Sequence, residues 1–321
     1  MSGTRLGAYV ARRVVVLLAL LALLSLIVFG LLYLAPGDTV QVLLGTRPAS
    51  PETIAALRKQ FHLDRPFLEQ YWIWLSHAAQ LDFGTSVRSG RTVASMIGGR
   101  AAVSGFLAVY ALVLALGVGV PLGVLAAVRK RTAVDRGVVG LSVLGVSAPA
   151  FVTAVVLLYV FAVILGWFPV YGAGSGFVDR FWHLTLPALA LSLTGLALIV
   201  KLTRAAMLTT LEQDYVGFAL ARGVPARRVL TRYALRNALV PIVTAAGLVL
   251  TVLLTGAVLV ETTFSLPGVG SLLVEAVANK DVPVVQALAI LLAAIVVLVN
   301  LVVDVLYTVI DPRIGFGRQA A

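Results

Sequence analysis

The sequence predicts an all-α integral membrane protein with six transmembrane helices, and three observations carry that prediction. Hydrophobic residues fill 60% of the 321 positions and charged residues only 12%, roughly half the charged share of a soluble domain. The mean hydropathy is +1.02, more apolar surface than one soluble core of this size can hide, which argues against both a cytosolic enzyme and a disordered chain. The apolar residues fall into six blocks long enough to cross the hydrocarbon layer. No alternation of apolar and polar residues competes with them, so a β-barrel is not expected.

The first block, Val14 to Ala35, covers about 30 Å at roughly 1.5 Å per residue. Arg5, Arg12 and Arg13 precede it as in a signal peptide. The apolar run is too long for one and lacks a small-residue cleavage site, so it reads as a retained signal anchor. The second block runs from Ala101 to Val128, and Gly117, Gly119, Pro121 and Gly123 crowd it. Small residues let helix backbones approach; ordinary bundle packing and a dimer seam both fit the spacing, packing being the simpler. The third block, Gly137 to Gly166, is long enough to tilt or project, and Ser147-Ala148-Pro149-Ala150 marks a kink in it. The fourth starts near Leu184 and meets Lys201 and Arg204, which can snorkel to the interface. The fifth is Ala238 to Val260 and the sixth Val284 to Ile310.

Basic residues set the orientation. They gather at the N-terminus, in the turn Arg129 to Arg136, in the segment Lys201 to Arg236, and at Arg313 and Arg318. With six spans all four regions share one side, which makes both termini cytoplasmic. The same placement accounts for the net charge of +11, and no base-stacking motif points to nucleic acid. The expected organisation is a cytoplasmic N-terminus and first helix over 1–35, an extracytoplasmic segment over 36–100, and a five-helix core over 101–321 with a polar loop near 205–237. Within 36–100, Ser50-Pro51-Glu52 opens a helix with a cap, a first-turn proline and a first-turn acid. Phe67, Tyr71, Trp72 and Trp74 follow; they suit a small lid on the bundle or a docking face for an external partner.

No catalytic set is visible. None of the four lysines follows a glycine, so there is no nucleotide-binding phosphate loop. His62, His77 and His183 lack metal-ligand spacing, and there is no cysteine. No metal or cofactor is therefore expected in the chain. Ionisable residues inside spans are often functional, which makes Asp304 and Glu261 candidates for a translocation path; a basic partner or water access near the cytoplasmic end equally suits Asp304, and Glu261 at the outer end of its span can be solvated or line an outer gate. Ser147 and Pro149 join them as kink residues whose hydroxyl or freed carbonyls can face such a path.

The informative stretch lies between Glu212 and Pro241. Tyr215, Phe218, Ala219 and Arg222 fall at helical spacing, with Asp214 at the start and Arg222 at the end suiting the helix dipole. Gly223 can end that helix in the left-handed region, and Pro225 fits the first turn of another. The second helix carries Arg228, Arg232 and Arg236 on one stripe and leads into the fifth block. A short helix held below the membrane can fit a groove on another protein, or lie on anionic lipid.

The run Asp214-Tyr215-Val216, Ala219-Leu220-Ala221-Arg222-Gly223, Arg227-Arg228-Val229-Leu230 and Arg236-Asn237-Ala238-Leu239-Val240-Pro241 resembles the cytoplasmic loop of ABC-transporter permeases. More narrowly it is similar to the B-type permease of dipeptide and oligopeptide importers, a group that includes nickel and glutathione systems. Tyr9-Val10-Ala11-Arg12-Arg13, Ala35-Pro36-Gly37-Asp38, Leu63-Asp64-Arg65-Pro66, Asp82-Phe83-Gly84-Thr85-Ser86, Val260 to Gly270 and Asp311-Pro312-Arg313-Ile314 extend the resemblance nearly end to end. Two departures stand out: Gly217 occupies a position that is Glu in the general permease loop, and Tyr233-Ala234-Leu235-Arg236 replaces its I-x-L-P ending.

The resemblance implies a type I ABC importer permease fold in the plasma (inner) membrane of a prokaryote. It implies a second homologous permease subunit, two ATPase subunits or domains that bind ATP and Mg, and an extracytoplasmic substrate-binding protein. Asp214, Tyr215, Phe218, Ala219, Ala221, Arg222, Gly223, Arg227 and Arg228 would couple to the ATPases. The cargo would be di- or oligopeptides, with a nickel chelate or glutathione as alternatives. A secondary carrier or channel would instead need inverted repeats or buried ionisable relays, and a receptor or scaffold would use the same loop for binding alone.

Overall fold

The computed structural model describes residues 3–34, 50–60 and 64–310. Ala35-Pro36-Gly37-Asp38, Leu63 and the Asp311–Ile314 motif lie outside the described residues, as does the side chain of Ser147. Helices fill most of the described chain, in the order α1 (Gly3–Leu34), α2 (Pro51–Gln60), α3 (Phe67–Ala79), α4 (Val93–Val128), α5 (Ala133–Ser147), α6 (Ala150–Leu157), α7 (Phe177–Leu211), α8 (Asp214–Ala221), α9 (Ala226–Arg228), α10 (Leu235–Thr263), α11 (Val269–Ala278) and α12 (Val282–Ile310). Helix α6 continues as a π-helix over Leu158–Ile164, and a second π-helical stretch, Val229–Ala234, joins α9 to α10.

Among the described residues, five stretches are long and apolar enough to cross a membrane: Ala11–Gly30, Val93–Val128, Phe177–Leu211, Ala226–Thr263 and Val282–Leu306. The third apolar block is not a straight tilted span. Ala133–Gly145 and Ala150–Ile164 meet at 92°, and they make a sixth span if the pair is taken as one. The chemistry of the corner is local. Pro149 offers no N–H to continue the helix, and its ring pushes the preceding residue out of the helical region; Ala148 accordingly sits at φ −89°, ψ 126°.

The chain divides into two units. One comprises residues 1–103 with 267–298, the other 104–266 with 299–321. In the first unit the aromatic side of α3 packs on α1. Phe29 stands 5.5 Å from the rings of Phe67 and Trp74 and 5.7 Å from Tyr71, and the Tyr71 hydroxyl meets Ser25 Oγ at 2.7 Å. Phe67, Tyr71 and Trp74 thus pack on α1, while Trp72 stays exposed. A second cluster joins Val93 to Leu272, Ala276, Val284 and Leu288, with Phe83 and Ile97 against it. Asp281 fastens it by accepting from Ser86 Oγ and the Val87 N–H.

The second unit is built around α7, which packs against α5, α6 and α10. Leu184, Leu191, Ile199, Val200 and Met207 of α7 are buried, as are Val249, Leu253 and Val260 of α10. Glycines set the approach distances. A Cβ at Gly123 would lie 2.7 Å from Thr203 Cβ and 2.9 Å from the Val200 carbonyl, and one at Gly119 would lie 2.7 Å from Ile199 Cγ2. The Gly119/Gly123 pair of α4 therefore packs on α7 within the chain, whereas Gly117 faces open space.

Candidate functional site

The polar segment after α7 folds as a bent elbow. Helix α8 begins after Gln213 with Asp214 in its first turn, where a carboxylate suits the positive end of the helix dipole. It ends in a Schellman turn. The Gly223 N–H donates to the Leu220 carbonyl at 2.9 Å and the Val224 N–H donates to the Ala219 carbonyl at 3.1 Å. That pairing needs a left-handed residue between them, and Gly223 supplies it at φ +80°. Pro225 then caps α9, one position before the first turn expected of it.

Val216 and Ala219 are buried against Val229, with Leu211 and Val224 beside them. This small core fixes α8 on the start of the long helix that becomes α10. Ala219 thus faces inward with Val216, rather than outward with the aromatic pair. Tyr215 and Phe218 point away from this core, but not equally. Phe218 is 70% exposed, whereas Tyr215 is 40% exposed and its hydroxyl accepts from the Asn237 side-chain amide at 3.0 Å. Asp214, Ala221, Arg222, Gly223, Arg227 and Arg228 are all exposed. The elbow therefore presents one aromatic ring, Leu220 and a row of arginines outward.

Two ionic contacts fasten the neighbouring turn, one at the root of this elbow and one on α7. Lys130 Nζ donates to Glu212 Oε1 at 2.6 Å, and Lys130 pulls the Glu212 carboxyl below its ordinary value of 4.5. Asp135 is 4% exposed and accepts from Arg204 Nε at 2.6 Å and Nη2 at 2.8 Å. Arg204 thus has a protein partner in Asp135. Sequence reasoning reads Arg204 and Lys130 as topology markers only; partners 69 and 82 residues away leave no local signal.

The four pathway candidates do not form one cluster. Pro149 lies at the α5–α6 corner and is exposed. Glu261 is fully buried in the last turn of α10, at the far end of that helix from the elbow, and accepts from Ser104 Oγ of α4 at 2.6 Å. It is not solvated. Asp304 is 8% exposed near the end of α12. Ser147 closes α5. At the end of α7 opposite to the elbow, Phe177, Val178, Phe181 and Trp182 line an open groove of about 910 Å³ together with Ser175, Asp179 and Thr185. Phe181 also stacks edge-on to Phe106 and Tyr110, with centroids 4.8 and 5.0 Å away. Aromatic side chains gathered at a helix end suit a membrane interface.

Several apolar spans, two of them joined through an exposed elbow, define a multi-pass membrane protein. The chain belongs to the family of binding-protein-dependent transport system inner membrane components, whose sequence profile matches residues 119–316, with the N-terminal profile of the same systems matching residues 6–98. It is 39% identical over 314 residues to a probable peptide ABC transporter permease protein of Sinorhizobium fredii, covering 97% of this chain and 100% of that protein. It is 38% identical over 308 residues to the glutathione transport system permease protein of Escherichia coli strain K12, covering 96% and 99%. Its fold matches a chain of the MetNI methionine ABC transporter, solved in inward facing conformations, with TM-score 0.58 at 16% identity over 67% of this chain and 96% of that one. The architecture is that of a type I ABC importer permease.

Proposed function

We propose that this chain forms half of the transmembrane pathway of an ATP-driven, binding-protein-dependent importer of di- or oligopeptides. The observation that carries the reading is the elbow. Helix α8 is locked by the Gly223 turn and the Val216–Ala219–Val229 core, yet leaves Phe218 outward. An exposed aromatic on a rigid short helix fits a groove on a second protein, and a rigid connection to α7 and α10 would carry a push into both helices. The partners are two ATPase subunits or domains holding ATP and Mg, a second permease subunit, and an extracytoplasmic binding protein. ATP binding and hydrolysis in those partners would shift the permease pair between inward- and outward-open states, so this chain is a transport subunit and performs no covalent chemistry.

The distribution of Lys and Arg supports an inner-membrane protein with both termini cytoplasmic. The Sinorhizobium relative supports peptide cargo, and the Escherichia coli relative supports glutathione as the alternative. The test is reconstitution. Uptake of labelled peptide into proteoliposomes should require the ATPase partners, ATP and the binding protein. Uptake by this chain alone, without nucleotide, would overturn the reading.

A further inference from the structure

The turn between α4 and α5 has no role in the reading above, yet it holds a buried carboxylate with partners on two elements, the turn itself and α7. Thr132 caps α5, and Asp135 lies in the first turn, the position from which an acid usually reaches back to the cap N–H. Here the Thr132 N–H is already taken by the Arg129 carbonyl at 3.1 Å. Asp135 instead accepts from the Arg131 N–H at 2.9 Å. Arg131 sits at φ +65°, a left-handed conformation unfavourable for a side chain with a Cβ. Such a conformation persists where its surroundings over-determine it.

The surroundings are ionic and reach to α7 and to the root of the elbow. Both Asp135 oxygens also receive the fork of Arg204 from α7. A buried carboxylate held in this two-pronged way has one geometry, unlike a single surface pair. Lys130, next to Arg131, reaches Glu212, which caps the end of α7 two residues before α8 begins. One seven-residue turn, Arg129 to Asp135, is therefore tied both to the body of α7 and to the root of the elbow. Its other end is α5, which runs directly into the 92° corner before Pro149.

We propose that this turn is a second mechanical linkage: displacement of the elbow passes through Lys130–Glu212 and Arg204–Asp135 into α5 and the corner, with Asp135 as its positioning residue. The proposal rests on the importer reading and deepens it. In a linkage of this kind, loss of the charge uncouples motion from drive without abolishing the drive, because Asp135 lies outside the surface offered to the ATPases.

The experiment measures uptake and ATP hydrolysis side by side in proteoliposomes holding the complete complex. Labelled dialanine and labelled glutathione are both offered, and the one that the wild type imports is the probe. ATP-independent behaviour of the wild type would strike the importer reading itself. With wild-type uptake driven by ATP, Asp135→Asn should lower solute moved per ATP by about tenfold while ATPase capture is retained, the scale on which changes along a coupling network act. Asp135→Glu should recover part of that ratio. Lys130→Glu should lower it, and the swap Lys130→Glu with Glu212→Lys should restore it. These exposed residues keep the test available if Asp135→Asn fails to fold. An unchanged ratio in folded Asp135→Asn, or in Lys130→Glu where the former is not recovered, would overturn the linkage.

Discussion

The side-chain amide of Asn237 bridges the Tyr215 hydroxyl at 3.0 Å and the Tyr233 carbonyl at 2.7 Å. One amide thereby pins the outer side of α8 to the first turn of α10, and it divides the work of two aromatic residues that the sequence presents as a pair. Tyr215 is held by its own chain, while Phe218 stays 70% exposed. Tyr215→Phe should cost about 0.5–1.5 kcal/mol of stability, the usual net worth of such a hydrogen bond, and leave ATPase capture within about twofold of wild type. Phe218→Ala should leave the melting temperature unchanged and weaken capture by at least about tenfold, as for a central aromatic anchor. Thermal unfolding and titrated pull-down of the ATPase separate the two; equal losses of capture in both variants would refute the division.

Gly223 provides a second test, because its φ of +80° is what allows the two closing hydrogen bonds of the α8 turn. Gly223→Ala should destabilise the elbow by about 1–2 kcal/mol through its Cβ. Gly223→Pro is more severe, since proline cannot reach this φ and loses the N–H given to Leu220. Membrane insertion should persist while uptake per ATP collapses. Normal ATP-driven uptake in the proline variant would remove the elbow from the mechanism.

Two glycines of α4 should respond oppositely. Gly123→Ala drives a methyl to 2.9 Å from the Val200 carbonyl, a backbone atom that cannot swing aside. Overpacking of this kind typically costs about 1–3 kcal/mol. Gly117→Ala meets nothing within 4 Å and gains up to about 1 kcal/mol of helix propensity. Melting of the purified chain in detergent measures both, and a destabilising Gly117→Ala would show that the space is filled in the isolated chain.

Buried Glu261 and half-buried Ser104 form a pair whose two ends can be removed separately. Glu261→Leu should destabilise by about 0.5–1.5 kcal/mol because it removes the acceptor of the hydrogen bond that Ser104 Oγ donates. Adding Ser104→Ala should recover part of that loss, since replacing both partners is milder than removing one. A double variant no more stable than Glu261→Leu would place the cost elsewhere.

The Lys130–Glu212 pair has a pH signature. Because Lys130 holds the folded-state pKa of Glu212 below the ordinary 4.5, the pair stabilises the fold above that value. The contribution is lost as pH falls from 4.5 through the lower folded-state value. The stability difference between wild type and Lys130→Ala should be present at neutral pH, shrink below 4.5, and shrink also in high salt because both groups are exposed. A difference independent of both would mean that Lys130 acts through its aliphatic stem.

The spans were legible because membrane solvation writes them into a contiguous stretch of chain: about twenty apolar residues must follow one another to cross the hydrocarbon. The elbow was legible for a similar reason, since Gly223 and Pro225 act on their own backbone within a few bonds. Tertiary structure decided what depends on distant partners. Ala219 turned inward because Val216 and Val229 form a core with it, and Tyr215 was engaged because Asn237 stands one helix away. The kink at Pro149 could be read from its missing N–H, but its angle of 92° is given only by the structure. Gly119 and Gly123 spelled close approach without saying to what, and Arg204 spelled charge near an interface without naming Asp135. Local covalent geometry and solvent preference act along the chain, whereas contact partners are fixed only when the helices assemble.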